Sequence, residues 1–164
     1  MSEAYIHQLN CSDGGVPKRA VAEAELTTTG LVGDRQAHPL IHGGPERALC
    51  LYALEVILAL QAEGHPIYPG SDGENVTVAG LDWAQLAPGA RLALGAEVVI
   101  EITKPANPCD SLVNSFKHGE FKRIAQKLHP GQSRLYARVI KPGRLAQGQR
   151  VRVLLPDSVG NGKA

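Results

Sequence analysis

Hydrophobic and polar positions alternate in short bursts along this chain, each burst ended by glycine or proline. Ala4 to Leu9 reads as a first strand, with Tyr5, His7 and Leu9 set against Ala4, Ile6 and Gln8. Ala20 to Leu26 alternates again, Ala22, Ala24 and Leu26 on one face and Glu23 and Glu25 on the other, and predicts one half-buried strand. Ala48 to Tyr52 predicts a short buried strand that places Cys50 in the core. A helix then follows, because Ala53, Val56, Ile57 and Leu60 fall at i, i+3, i+4 and i+7, and Gly64 is a natural residue to end it. Asp72-Gly73-Glu74-Asn75 reads as a tight polar turn before a strand at Val76 to Val78.

In the second half, Leu81 to Leu86 predicts a helical turn with Asp82 as N-cap, and Arg91 to Leu94 a strand. Val98 to Thr103 is the most strand-like run in the chain. Leu112, Val113 and Phe116 mark one helical turn, and Phe121, Ile124, Ala125 and Leu128 mark a second helix, stopped by Pro130-Gly131. Arg134 to Ile140 and Val151 to Leu155 predict closing strands. The pattern gives roughly seven or eight short strands with two or three helices, mainly β, and favours a closed or partly closed barrel over a doubly wound sheet. Residues 1–155 are expected to form a single domain, with Pro156 to Ala164 as a disordered tail.

Composition narrows the function classes. The chain has 164 residues and a formal net charge of +1. Such a balance offers no electrostatic footprint for nucleic acid or a membrane surface. With 18 glycines and 11 prolines, turns outnumber what a helix bundle would carry. No apolar run approaches the ~20 residues of a membrane span, and no signal peptide is evident at the start. Cys11, Cys50 and Cys109 are odd in number and widely spaced, which argues against a disulfide framework and for a reducing compartment, the cytoplasm.

Two stretches carry candidate chemistry. Lys104-Pro105-Ala106-Asn107-Pro108-Cys109 follows the most strand-like run, and its prolines stiffen the backbone that delivers the cysteine. A thiol at the start of a helix sits where the macrodipole favours the thiolate, and Lys104 can add positive charge, while Asp110 opposes it. The bland alternative is that Cys109 is a small buried hydrophobe. The second stretch, Asp34 to Arg47, holds Asp34, Arg35, His38, His42, the Gly43-Gly44-Pro45 turn, Glu46 and Arg47. Backbone amides at paired glycines, flanked by two guanidinium forks, make an anion-binding surface. Plain barrel corners tied by arginine are an even alternative. Asp34 and Glu46 could be general acids, but ion pairs to Arg35 or Arg47 are the simpler reading.

Weaker constellations remain. A zinc site drawing on Cys109, Cys50, His7, His38 and His42 lacks any CxxC or HExxH spacing. A nucleophilic pair of Cys109 with His38 or His42 has no local signature. His118, His65 and His129 read as solvated. No GxGxxG or GxxxxGK[ST] nucleotide motif occurs.

The order of these pieces resembles a MOSC domain, the module named for the C-terminal region of molybdenum cofactor sulfurase. The resemblance rests on Gly33-Asp34-Arg35, on His42-Gly43-Gly44-Pro45 with Arg47-Ala48, and on Leu51-Tyr52 and Glu55. It continues through Pro69-Gly70, Gly73-Glu74-Asn75, Gly80-Leu81, Leu86 and Pro88-Gly89 to Pro108-Cys109 and the strand holding Arg134, Tyr136, Arg138 and Val139. It runs from about Ile6 to Leu154 and is nearest to stand-alone bacterial members. The resemblance implies a β-barrel-centred fold whose cleft can hold the molybdenum cofactor (molybdopterin). It also implies Cys109 as the molybdenum ligand, or, in a sulfur carrier, as the bearer of a persulfide. Arg35, His42, Gly43, Gly44, Arg47 and Asn75 are the implied cleft-formers, joined by Lys104 and Asn107; many relatives have arginine near the position of Lys104. Implied functions are a molybdenum-dependent reductase of N-hydroxylated compounds, a sulfur transferase, or a non-catalytic binding module. The implied partners are a small-molecule substrate or a sulfur donor protein, with a separate electron donor for a reductase.

Overall fold

The computed structural model describes residues 3–35 and 44–155. His38, His42, Gly43 and the tail from Pro156 to Ala164 lie outside the described residues.

The chain is mainly β. Among the described residues eleven strands run β1 Tyr5–Cys11, β2 Arg19–Val21, β3 Glu23–Thr27, β4 Gly30–Leu31, β5 Leu49–Ala53, β6 Val76–Ala79, β7 Arg91–Leu94, β8 Val98–Ala106, β9 Arg134–Lys141, β10 Gly143–Ala146 and β11 Val151–Leu154. The α-helix α1 (Leu54–Ala62) joins the parallel pair β5 and β6 and buries Ile57 and Leu60. The main sheet has the order β11-β7-β8-β9-β5-β6-β1-β2, and β10-β3-β4 form a second, smaller sheet. The ladder itself is open. Its two sides are joined near the β1 start by the antiparallel bridge Tyr5↔Arg150, where Ile6 N donates to Gln149 O and Val151 N to Ala4 O. Ile6, Leu9, Leu49, Leu51, Val76, Val78, Ile100, Ile102, Leu135 and Ala137 belong to one continuous core.

Several elements depart from the pattern in the sequence. Ala20 to Leu26 is two strands, not one: β2 pairs with β1, while β3 pairs with β10 in the other sheet. Within β3 the alternation holds, with Ala24 and Leu26 buried and both glutamates exposed, but Ala22, expected on the same buried face, is exposed. Periodicity cannot report that a chain changes sheets between alternating residues. The second predicted helix, Phe121 to Leu128, is only a 3-10 turn at Phe121–Ile124. Its neighbour Asp110–Ser115 is also 3-10. Such short segments take their shape from the surface they cover rather than from helical propensity.

Pro105 lies within the strand rather than after it, and only Pro108 follows its end. β8 runs on through Lys104 and Pro105 to Ala106, pairing them with Tyr136, Leu135 and Arg134 of β9. The bulge between Ile102 and Lys104 locally breaks the ladder there.

Asp72-Gly73-Glu74-Asn75 is tight but not solvated: Asp72, Glu74 and Asn75 are all buried. The turn is pressed against β1 and the Lys18 segment. Lys18 N donates to Gly70 O at 2.8 Å, and Glu74 Oε2 accepts from Gly70 N and Thr77 Oγ1, each at 2.9 Å. Gly70 has φ +90°, and a Cβ there would stand 2.5 Å from the Lys18 carbonyl oxygen, a backbone atom. Gly70→Ala is therefore expected to lose on the order of 3 kcal/mol through strain and clash. A urea midpoint unchanged from the parent would contradict this.

His65 is buried, not solvated: its Nδ1 accepts from Lys117 N at 3.2 Å and its ring meets Phe116 edge-on at 5.1 Å. Among the described residues no helix is long and apolar enough to cross a membrane.

Candidate functional site

Alternation along β9 divides its side chains between two faces. Leu135, Ala137 and Val139 join the main core, while Arg134, Tyr136 and Arg138 turn the other way. Register then sets a row across the sheet on that second face. Cys50 on β5 lies opposite Tyr136 on β9, and Tyr136 lies opposite Lys104 on β8. Cys50, Ala106 and Tyr136 pack as a small cluster of their own.

Cys109 stands beside this row. It is half-buried, extended at φ −136°, ψ 177°, and immediately precedes the 3-10 segment Asp110–Ser115. Its Sγ lies 2.9 Å from Ser111 Oγ. The electrostatic influence of Cys109 reaches the Tyr136 phenol. Burial, with Cys50 adding to it, pushes that phenol up, while Arg134 and Arg47 pull it down.

Arg47 covers the tyrosine from the opposite loop. Gly44 enters the Pro45–Arg47 turn at φ 97°, open to glycine, and Pro45 fits the first helical turn because it needs no amide partner there. Glu46 O accepts from Thr103 Oγ1 at 2.6 Å, which ties the turn to β8. The Arg47 guanidinium carbon then sits 5.5 Å from the centre of the Tyr136 ring, a cation–π distance. Glu46 pairs with Arg138 at 3.6 Å rather than with Arg35 or Arg47.

The structure thus brings Arg47, Lys104 and Cys109 to Tyr136, while Asn107 is held through its carbonyl by Arg134. Lys104 and Asn107 are exposed, and Arg47 is half-buried. A soft thiol beside two cations can take an anionic ligand through a soft metal or sulfur centre.

Arg35 and Asn75 occupy a neighbouring layer. Asn75 and Cys50 exchange bonds: Asn75 N donates to Cys50 O at 2.7 Å, and Cys50 N to Asn75 Oδ1 at 3.0 Å. Asn75 Nδ2 donates to Asp34 Oδ2 at 2.9 Å. Asp34 Oδ1 also accepts from Ser12 N at 2.9 Å and from Lys18 Nζ at 2.6 Å. The expected ion pair of Asp34 with an arginine is therefore replaced by one with Lys18, both side chains only 5% exposed. Arg35, next in sequence, is exposed and aligned with Asp13 by an isolated parallel β-bridge of the backbone. Asn75 and Asp34 act here as the frame between β1, β5 and the start of the Asp34 loop. His42 and Gly43 cannot be set against this frame because they lie outside the described residues.

A MOSC domain family model matches residues 38–152. The chain belongs to the MOSC domain family. It is 31% identical over 142 residues to the uncharacterized protein YflK of Bacillus subtilis, covering 85% of this chain and 63% of YflK. It is 32% identical over 128 residues to the protein YiiM of Escherichia coli, covering 76% of this chain and 56% of YiiM. The match thus spans less than two thirds of either curated relative. The crystal structure of Escherichia coli YiiM superimposes with a TM-score of 0.70 at 25% identity, over 94% of this chain and 71% of that one. A protein named Reductase from Gibberella moniliformis is 29% identical over 132 residues, 78% of this chain but 23% of that protein.

Beneath the exposed patch of this MOSC domain lies a buried charged layer that sequence reasoning did not single out. It contains Arg134, Asp72 and Glu74. Burial pushes the Asp72 carboxyl up to about 6, against the opposing pull of Arg134 and Ser115. Burial likewise pushes Glu74 up to about 7; the Gly70 amide opposes it and the Asp72 charge adds to it. Cys50 is pushed up to about 11, again chiefly by burial, so it stays a thiol at neutral pH and is a poor partner for a metal. Arg134, Tyr136 and Arg138 were legible in principle, as polar residues alternating with apolar ones along one strand. Asp72 and Glu74 carried no such signal, because polar residues around glycine are what a solvated turn looks like. Among the described residues no three metal-ligating side chains form a group.

Proposed function

We propose that this MOSC protein binds a pterin molybdenum cofactor, with Cys109 as a molybdenum ligand, and reduces N-hydroxylated compounds. The observation that carries the reading is the half-buried Cys109 thiol on one patch with Arg47 and Lys104. Thiolate is a suitable soft ligand, and the two cations complement a phosphorylated cofactor. Arg47, Gly44, Lys104 and Asn107 would hold the cofactor beside Cys109, and the family resemblance adds Arg35, His42, Gly43 and Asn75 to that set. When bound, the molybdenum centre would supply two-electron redox chemistry next to the Cys109 thiol. In overall balance, an N-hydroxyl substrate takes two electrons and two protons and yields the amine and water. The electrons come from a separate donor protein. The relative named Reductase supports this class of activity. The three free cysteines suit a cytoplasmic setting.

A sulfur-carrier reading uses the same residue. The Ser111 hydroxyl at 2.9 Å can donate to a sulfur anion, and partial exposure leaves Cys109 open to a sulfur donor protein. In that case Cys109 holds a persulfide rather than a metal.

The test is elemental and cofactor analysis of protein purified from a host that makes the cofactor. Wild type is expected to retain molybdenum and pterin, and Cys109→Ala to lose at least tenfold of the metal while keeping its melting temperature. Folded wild type free of both would refute the molybdenum reading. A persulfide-specific label on wild type but not on Cys109→Ala would establish the carrier reading instead.

A further inference from the structure

Arg134 is a buried arginine whose hydrogen bonds go to backbone rather than to a carboxylate. Its Nη1 donates to the Asp72 carbonyl at 2.9 Å and its Nη2 to the Asn107 carbonyl at 3.2 Å. It is 8% exposed, and its Nε has no partner. Neither carboxyl oxygen of Asp72 makes a well-formed hydrogen bond, although the Ser115 hydroxyl lies close enough to favour the charged form. Arginine keeps its charge in a protein interior, so this placement carries a desolvation cost that neutral carbonyl acceptors offset only in part. What the placement supplies is geometry. A planar guanidinium with donors at fixed angles sets the distance between two backbone segments in a way a flexible ammonium does not.

The two segments it joins are informative. One is the buried turn at Asp72, held against β1 and Lys18. The other is Asn107, separated from Cys109 by Pro108 alone. The pyrrolidine ring fixes φ at Pro108, so the backbone between the clamped carbonyl and the cysteine has little torsional freedom. β8 fixes the same segment from the other end, pairing Ala106 with Arg134 itself. Asn107 is thus held at its carbonyl by the side chain of the residue that its preceding neighbour pairs with.

We propose that Arg134 is a positioning residue for Cys109: its guanidinium clamps the Asn107 carbonyl to the Asp72 turn, and rigid Pro108 passes that constraint to the thiol. The inference rests on the proposed function only in taking Cys109 as the working thiol. It holds for a metal ligand and for a sulfur carrier alike. Arg134 touches neither substrate nor cofactor in this role.

The experiment follows the thiol directly, so its outcome is independent of cofactor loading or turnover. In a Cys11→Ser background, alkylation of Cys109 and of buried Cys50 by iodoacetamide is followed by mass spectrometry on the folded protein. Arg134→Lys retains the charge and loses the two-pronged bond. Pro108→Ala leaves the clamp and loosens the link. Both are expected to raise the Cys109 rate at least threefold with the Cys50 rate unchanged. Rates at Cys50 rising in parallel would assign Arg134 to general stability and overturn the proposal. So would an unchanged Cys109 rate in either variant. Wild-type protein lacking molybdenum would remove the metal reading without touching this one.

Discussion

Asp34→Ala is expected to destabilise the protein by about 3–5 kcal/mol, the range for breaking a buried ion pair by removing one partner. The substitution removes acceptors for three donors at once: Ser12 N, Lys18 Nζ and Asn75 Nδ2. The Lys18 ammonium is the costliest to strand. Its side chain is 5% exposed, and its other hydrogen-bond acceptor, the Arg35 carbonyl, stands at 3.5 Å, the limit of a useful bond. If the loss comes from the stranded charge, Lys18→Met/Asp34→Ala should recover part of it, leaving the unsatisfied amides of Ser12 and Asn75. Urea titration of both variants measures this. A double variant no more stable than Asp34→Ala would show that the charge is not what matters. The loss should extend to the candidate site, because Asn75 also supplies the bonds that hold Cys50 beneath Tyr136.

The second large effect depends on pH. Asp72 holds its proton to about pH 6 in the folded protein, whereas the unfolded chain releases it near 3.8. Between those values the native state binds more protons, so stability falls as pH rises. The contribution is fully present below the unfolded value and lost once pH passes the folded one. Glu74 acts in the same direction, from 4.5 to about 7. At 1.36 kcal/mol per pKa unit, ionised Asp72 costs about 3 kcal/mol above neutrality. Desolvation outweighs the attraction of Arg134 even with both charges present.

Asp72→Asn stays neutral throughout. Relative to wild type it is expected to gain about 2 kcal/mol at pH 8, the difference being the amide's own unsatisfied donor. At pH 4 the gain should turn into a loss of up to about 1 kcal/mol, since wild-type Asp72 is then neutral in the native state and only the amide's unsatisfied donor still costs. Denaturation curves at the two pH values decide it; an equal difference at both would mean that ionisation of Asp72 is not the cause. Wild type itself should be more stable near pH 5 than near pH 8, against the weaker pull of groups with opposing shifts. Glu63, lowered by its bonds to Arg123, is one such group, but it is exposed and its effect is correspondingly small.

This acidic layer bears on the site as well as on stability. Asp72 sits at one end of the Arg134 clamp and Cys109 beyond the other. A residue whose carboxyl changes charge near neutrality is thus linked, through its backbone carbonyl and the two hydrogen bonds of the Arg134 guanidinium, to the segment that presents the thiol. Replacing Asp72 tests stability, replacing Arg134 tests presentation of the thiol, and replacing Cys109 tests loading; each reads a different link in one chain of contacts.

Much of this protein was legible in its sequence, for local reasons. Strands at Tyr5–Cys11, Leu49–Ala53, Val76–Ala79, Arg91–Leu94, Arg134–Lys141 and Val151–Leu154 follow from alternation and β-branched content, which are properties of neighbouring residues. Helix α1 follows from its apolar spacing. The family follows from the order and spacing of short motifs, from Gly33-Asp34-Arg35 to Pro108-Cys109, which no single motif would have carried. Cys109 stands out as a candidate because Pro105 and Pro108 stiffen the segment that presents it, and the family resemblance is what implies a role for it.

What only the tertiary structure decided are the contacts between residues far apart in sequence. Lys18 rather than Arg35 neutralises Asp34, because β1 and the loop after it fold over the Asp34 segment. Asp72 and Glu74 are buried because β1 and the segment around Lys18 close over their turn; composition around glycine pointed to solvent. Arg47 reaches Tyr136 only because Thr103 draws the Pro45–Arg47 turn onto β8. Arg134 reaches both Asp72 and Asn107 because register on β9 aims it at the one place where those backbones meet. Charge partners and burial depend on which surfaces close over one another, and the chain settles that only once the sheet is assembled.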